Sequence, residues 1–147
     1  MSTLKPHTVN WDQIHRFLKS ADKKLVAAPK ILVIDEEAAL EQAYAAMLRA
    51  SLAFMFSWGV RPRSQPGHHV AIIDFARQHL DKKHAGVLTV FDRLRRKRNA
   101  ALYDEAGFIS QHDAEEALAT ACEYLDLIRA DIQDRQRHIH PGASGTR

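Results

Sequence analysis

The sequence predicts an all-α protein, an antiparallel up-and-down bundle of four to five helices. Apolar residues recur at spacings of three and four along most of the chain, which is the period of an amphipathic helix. Only six glycines and five prolines occur in 147 residues, and they cluster between the periodic segments. A chain of this length forms about one domain. We therefore predict a bundle at 10–137, with a flexible N-terminus at 1–9 and a flexible C-terminal tail at 138–147.

The first two helices have recognisable start signals. Asn10 can cap the first helix, with Gln13 reaching back as in a capping box, and Pro29 is predicted to end it. The segment KILVIDEE, residues 30–37, has the composition of a short strand. Since no partner strand is evident, we interpret it as an apolar linker. Asp35 is predicted to cap the second helix, whose apolar stripe consists of Leu40, Tyr44, Met47, Leu48, Ser51, Phe54, Met55 and Trp58.

The remaining helices follow turn signals. Gly59 and the next residues, RPRSQPG, are predicted to end the second helix because glycine and proline favour turns. A third helix is predicted from His68 to Leu80 and a fourth from Ala85 to Tyr103. Ser110 with Asp113 is a start signal for the fifth helix. The predicted inward residues are Val70, Ile73, Ala76 and Leu80 on the third helix, and Ala114, Ala117, Leu118, Ala121, Leu125, Ile128 and Ile132 on the fifth.

Composition narrows the classes of function. The chain has 21 Lys and Arg against 18 Asp and Glu, so its net charge of +3 is too small to indicate nucleic-acid binding by itself. A single cysteine, Cys122, excludes an intrachain disulfide and indicates a reducing compartment. The N-terminus lacks the apolar core of a signal peptide, and the longest uncharged run is too short to span a bilayer. We therefore expect a cytoplasmic protein that does not enter a membrane.

The fourth helix carries an unusual basic segment, DRLRRKRNAALYD. At about 100° per residue, Arg98 alone among its cations points in the mean direction of the apolar stripe. Because an unpaired buried charge is strongly unfavourable, Arg98 must pair with a carboxylate such as Asp74 or Glu41, or face a subunit partner or a ligand. An exposed basic face explains the other cations, which are Arg93, Arg95, Arg96 and Lys97.

Polar side chains adjoin Arg98. Asn99 and Tyr103 are four residues apart and therefore share a helix face, with Arg95 and Arg96 alongside. An arginine, an amide and a phenol at one place suit a phosphate or a ribose. They suit proton abstraction less well, because an unperturbed phenol titrates at about 10.

Two adjacent histidines, His68 and His69, follow Gly67 at the start of the third helix. A helix N-terminus binds anions and disfavours an imidazolium, so a neutral histidine here can accept a proton or contact a phosphate. The alternative is that His68 caps the helix and His69 faces water. As metal ligands the two are poorly placed, because adjacent helical residues diverge by about 100°. We predict no metal site and no cofactor.

The chain resembles the HEPN domain (higher eukaryotes and prokaryotes nucleotide-binding) over about residues 10–137. Three segments carry the resemblance: the second helix ending in WGVRPRSQPGHHV, then DRLRRKRNAALYD, then SQHDAEEALATACEYLDLIR. Many HEPN proteins are metal-independent endoribonucleases of toxin–antitoxin or defence systems, and they commonly form dimers. Their motif is an arginine, usually followed by Asn, Asp or His, and then a catalytic histidine after a gap of four to six residues. Arg98 and Asn99 match this motif, whereas Tyr103 stands at the position of the histidine.

The resemblance leaves two functions open. The first is RNA cleavage, with Arg98, Asn99 and Tyr103 as catalytic residues and with Arg95, Arg96, His68 and His69 as substrate-binding residues. The second is a non-catalytic module that binds a nucleotide and docks a nucleotidyltransferase or an antitoxin. Both imply a homodimer and an RNA or nucleotide ligand. A third alternative, from the residues alone, is a plain helical bundle with a buried ion pair at Arg98 and no site.

Overall fold

The computed structural model describes residues 3–103 and 108–139. Within these ranges the chain is an all-α helical bundle, as predicted, with one small antiparallel sheet. The helices are α1 (Trp11–Leu32), α2 (Glu36–Ser57), α3 (His68–His79), α4 (Ala85–Tyr103) and α5 (Gln111–Ile139), the strands are β1 (Leu4–Pro6) and β2 (Val60–Pro62), and a short 3₁₀ turn (Lys82–His84) precedes α4.

Side-chain caps confirm the predicted starts of three helices. Asn10 Oδ1 accepts a hydrogen bond from the backbone N–H of Gln13 at 3.0 Å, and Asp35 Oδ1 accepts one from the first turn of α2 at 3.1 Å. At the start of α5, Ser110 and Asp113 each accept the other's backbone N–H, both at 3.0 Å. Each cap satisfies an N–H that has no partner inside its helix.

The predicted end of α1 is wrong. Pro29 lies inside the helix, which continues to Leu32. Proline removes one backbone hydrogen bond, but Ile31 and Leu32 pack against the core in the next turn, and their burial offsets this loss. The predicted apolar linker is therefore confined to residues 33–35. At the other end of the chain, α5 extends to Ile139, into the predicted C-terminal tail; residues 140–147 lie outside the described part of the chain.

Residues 1–9, predicted as a flexible N-terminus, contain strand β1. This strand pairs antiparallel with β2, and the pairing is extended by His7, whose N–H donates to the carbonyl of Gly59 at 2.9 Å. The ring of His7 also contacts Gln13, with Nε2 and Oε1 2.7 Å apart. Gln13 is therefore not reaching back to Asn10 as the capping-box prediction required.

Helix α2 lies at the centre of the bundle and contacts all four other helices. Small residues allow this close approach: Ala39, Ala43, Ala46, Ala50 and Ala53 are all buried. One hydrophobic core cluster includes residues from all five helices. No helix in the described residues is long and apolar enough to cross a bilayer.

Helix α3 buries Ile73 and Ala76 as predicted, and Leu80 directly after it is buried too, but the prediction is wrong for Val70. Its buried residues are Ile72, Ile73, Phe75 and Ala76, whereas Val70, predicted to face inward, is exposed. Val70 instead lines an open cleft between the start of α3 and the side of α4.

Candidate functional site

The cleft between α3 and α4 has a volume of about 380 Å³ and is open to solvent. The loop at 65–67 and the first turn of α3 form one wall, and α4 forms the other. Five of the seven predicted site residues line it: they are His68 and His69 from α3, and Arg95, Arg98 and Asn99 from α4. Residues that lie far apart in the sequence are therefore brought to one place.

The other two predicted site residues lie outside the cleft. The side chain of Arg96 is 65% exposed, and its Nη2 is 3.8 Å from Asp92 Oδ2. Tyr103 is 86% exposed and lies one turn beyond Asn99 on α4. Asn99 and Tyr103 share a face of α4, but only Asn99 lines the cleft; Tyr103 points into solvent.

Arg98 is held from below by two residues of α2. Its Nε is 2.7 Å from Glu41 Oε1, and its guanidinium carbon is 5.3 Å from the centre of the Tyr44 ring, which is cation–π distance. The Nε atom is buried and its N–H has no partner in hydrogen-bond geometry, so the contact with Glu41 is an ion pair and not a directed hydrogen bond. The side chain of Arg98 is 25% exposed. Since Nε is buried, this exposed part belongs to other atoms of the side chain.

Of the two carboxylates that the sequence offered as partners for Arg98, the structure selects Glu41. Asp74, the other candidate, lies 3.4 Å from Arg77 on the surface of α3. Because Glu41 is itself 39% exposed, this ion pair lies at the edge of the core and not inside it. Of this pair, Arg98 lines the cleft, so a ligand there can contact its guanidinium.

Local carboxylates neutralise much of the basic segment. Arg95 Nε donates to Asp92 Oδ1 at 3.0 Å. Arg93 lies 2.7 Å from Glu116, and Lys97 lies 2.8 Å from Asp113. The exposed basic face predicted for four cations is wrong for Arg95, whose side chain is only 20% exposed and lines the cleft. Of the basic segment, Arg95 and Arg98 line the cleft, so these two arginines are placed to contact an anion that binds there.

His69 is hydrogen-bonded to the floor of the cleft. Its Nδ1 is 3.1 Å from the Tyr44 hydroxyl. Burial lowers the pKa of His69, and the positive charges of His68, Arg98 and Arg95 lower that pKa further. Burial also raises the pKa of Tyr44 to about 12, although Arg98 and Arg95 oppose this rise. At neutral pH the pair is therefore a neutral imidazole and a protonated phenol.

His68 is held by the preceding loop. Its Nδ1 donates to the backbone carbonyl of Gln65 at 3.1 Å, and its ring stands edge to face with that of His69, the ring centres being 4.6 Å apart. The alternative, in which His68 caps α3 and His69 faces water, is wrong. Gly67 occupies the N-cap position with φ of 80°, a left-handed conformation that glycine adopts without strain.

Sequence reasoning placed Tyr44 on the apolar stripe and missed its contact with the site. A usable signal was present, because the hydroxyl of a buried tyrosine needs a hydrogen-bond partner. Glu41 and Tyr44 are also three residues apart and share a face of α2. This face of α2 contacts Arg98 on one wall of the cleft and His69 on the other, so it links the two walls.

The described residues contain no group of three or more His, Cys, Asp or Glu side chains that could hold a metal ion. The cleft can chemically do two things: bind an oxyanion through guanidinium groups, and exchange a proton through an imidazole. No protein-family model matches this chain, and no curated protein matches it.

Proposed function

We propose that this chain is a HEPN-like, RNA-directed protein that cleaves RNA without a metal ion, within a toxin–antitoxin or defence system. The observation that carries the proposal is the convergence of His68 and His69 with Arg95, Arg98 and Asn99 in one solvent-open cleft. The proposal includes a cytoplasmic location, which the single cysteine suggests, and a homodimer, which the HEPN resemblance implies.

The residues of the cleft suit this reaction. In RNA the 2′-hydroxyl is an internal nucleophile, so the protein needs to supply a base, position the phosphate and stabilise its charge. Arg98 binds the scissile phosphate and Asn99 orients it. The histidine pair supplies the imidazole that the motif lacks at Tyr103. A histidine in the cleft explains this role better than Tyr103, which is exposed one turn away.

The test is to incubate the purified protein with total cellular RNA in excess EDTA. We expect cleavage that survives the chelator and that falls by about 10²- to 10³-fold in Arg98→Ala. Arg93→Ala is the matched control, because Arg93 lies on the same helix and also pairs with a carboxylate but does not line the cleft. No cleavage by the unmodified protein would refute the enzyme. An equal loss of cleavage in both variants would mean that the general positive charge of α4, and not the position of Arg98, is responsible.

One observation favours a second function, a non-catalytic module. Arg98 and Arg95 are each held by a carboxylate, at 2.7 Å and 3.0 Å, and such neutralised arginines suit reversible binding of a nucleotide. In this case the cleft binds a nucleotide phosphate, and the dimer docks a nucleotidyltransferase or an antitoxin. Calorimetric titration with AMP and ATP tests it. Saturable binding that is lost in Arg98→Ala, without RNA cleavage, supports this function, and absence of nucleotide binding counts against it.

A further inference from the structure

The two imidazoles of the cleft have different partners at Nδ1. For His68 this partner is the backbone carbonyl of Gln65 at 3.1 Å. Because a carbonyl oxygen only accepts hydrogen bonds, the proton of neutral His68 must be on Nδ1. The Nε2 atom of His68 then carries a lone pair and can accept a proton.

For His69 the partner is the hydroxyl of Tyr44 at 3.1 Å. A hydroxyl can donate or accept, but Tyr44 is only 1% exposed, and a buried O–H requires an acceptor. Within the described residues, His69 Nδ1 is the one hydrogen-bond partner of this hydroxyl. The O–H therefore donates to Nδ1, and the proton of neutral His69 is on Nε2.

We infer that the two histidines are held in opposite tautomers and divide the chemistry of the cleft. His68 is the general base, His69 is a neutral hydrogen-bond donor to the phosphoryl group, and Tyr44 is the positioning residue that enforces the difference. The tautomers follow from the contacts alone, whereas the roles rest on the proposed RNA cleavage.

The reaction balances without a further reactant. His68 Nε2 takes the proton of the ribose 2′-hydroxyl, the 2′ oxygen forms a bond to phosphorus, and the bond from phosphorus to the 5′ oxygen breaks. The imidazolium of His68 returns the same proton to the 5′ oxygen, directly or through one water. Meanwhile His69 Nε2–H and the guanidinium of Arg98 stabilise the charge on the non-bridging oxygens. The products are a 2′,3′-cyclic phosphate and a 5′-hydroxyl, so RNA is a substrate and DNA is not.

Nitrogen-15 NMR of the imidazoles tests the tautomers without any substrate. Long-range ¹H–¹⁵N correlation spectra at pH 7.5 distinguish a protonated Nδ1 from a protonated Nε2, and His68→Gln and His69→Gln assign the signals. We expect Nδ1–H for His68 and Nε2–H for His69. In Tyr44→Phe, His69 should become a mixture of tautomers while His68 is unchanged. Tyr124→Phe, which removes another buried hydroxyl away from the cleft, should change neither. A protonated Nδ1 on His69, or no response to Tyr44→Phe, would overturn the inference.

RNA cleavage tests the roles. His68→Ala should lose about 10²- to 10⁴-fold in rate, as expected for removal of a general base. His69→Gln retains an N–H donor and should lose much less than His69→Ala. Full activity in His68→Ala would overturn the assignment of the base while leaving the proposed function intact. If the unmodified protein cleaves no RNA, the assigned roles fall with the proposed function, and the NMR experiment still decides the tautomers.

Discussion

Two tyrosines of the bundle are equally buried but serve different regions. Tyr44 is 1% exposed and Tyr124 is 0% exposed. Both pack against Phe91, with ring centres 5.6 Å and 5.2 Å away. The hydroxyl of Tyr124 is 2.7 Å from Ser51 Oγ, which itself donates to the carbonyl of Met47 at 2.8 Å. This chain of hydrogen bonds ends inside the core, whereas that of Tyr44 ends on a histidine at the cleft.

The comparison shows how one residue type supports either packing or a site. Burial raises the pKa of both phenols, so both stay protonated at neutral pH and can donate a hydrogen bond. Tyr124 donates to Ser51, which donates in turn to the Met47 carbonyl inside the core. Tyr44 donates to His69 and also lies beneath the guanidinium of Arg98. The difference lies in what each hydroxyl faces: Tyr124 of α5 faces buried Ser51 of α2, whereas Tyr44 of α2 faces His69 of α3 at the edge of the cleft.

The largest effect is expected from removing the Phe91 ring, which both tyrosines contact. Phe91→Ala should lower the free energy of unfolding by about 3–5 kcal/mol, because it leaves a cavity in the centre of the core. Phe108→Ala, at an exposed position, is the control and should change it by less than about 0.5 kcal/mol. Urea unfolding followed by circular dichroism measures both. Similar values for the two variants would contradict the packing described for Phe91.

The next largest effect concerns Arg98, which belongs to the Tyr44 region. Arg98→Ala should lower the free energy of unfolding by about 1–2 kcal/mol, between the values for exposed and buried ion pairs, since Glu41 can be hydrated when its partner is removed. The variant should remain folded by circular dichroism. Arg98→Lys keeps the charge and should lose less. Unfolding of Arg98→Ala would instead support a plain bundle in which this ion pair is structural.

Removing each hydroxyl sharpens the comparison directly. Tyr124→Phe should lower the free energy of unfolding by about 1 kcal/mol, the typical net value of one buried hydrogen bond. Tyr44→Phe should cost less than half of that, because His69 lies at the cleft and water can replace the lost partner. Guanidinium unfolding of the two variants side by side is the measurement. A larger loss of stability for Tyr44→Phe than for Tyr124→Phe would mean that water does not reach His69 in the cleft.

The smallest effect is expected at the surface, where Asp113 joins α4 to the start of α5. Hydrogen bonds from Lys97 and then from Ser110 lower the pKa of Asp113 to about 2. A carboxyl whose pKa is lower in the folded state contributes stability above its unfolded pKa of about 3.9, and this stability is lost as the pH falls toward 2. Asp113→Asn should therefore lower the free energy of unfolding by about 0.3 kcal/mol at pH 6 and by much less at pH 2. Melting temperatures at the two pH values measure the difference. An equal reduction at both pH values would show that charge is not the cause.

Local patterns predicted most of the fold. The caps at Asn10, Asp35 and Ser110 depend on contacts three residues along the chain, so the sequence displays them directly. The two strands were missed because each has three residues and contains a proline, and their pairing joins distant segments. Pro29 was misjudged because burial of the next turn, which only the packed bundle reveals, offsets the missing hydrogen bond.

For the candidate site, the sequence by itself determined which side chains are unusual. Helical periodicity sets the direction of a residue relative to its own helix axis, so it singled out Arg98 on the apolar stripe and placed His68 and His69 at a helix start. Only the tertiary structure decided that these residues share a cleft, that Tyr103 lies outside it and that Tyr44 reaches His69. The physical reason is that the rotation and offset of α3 and α4 come from their packing on α2, and no single helix contains that information.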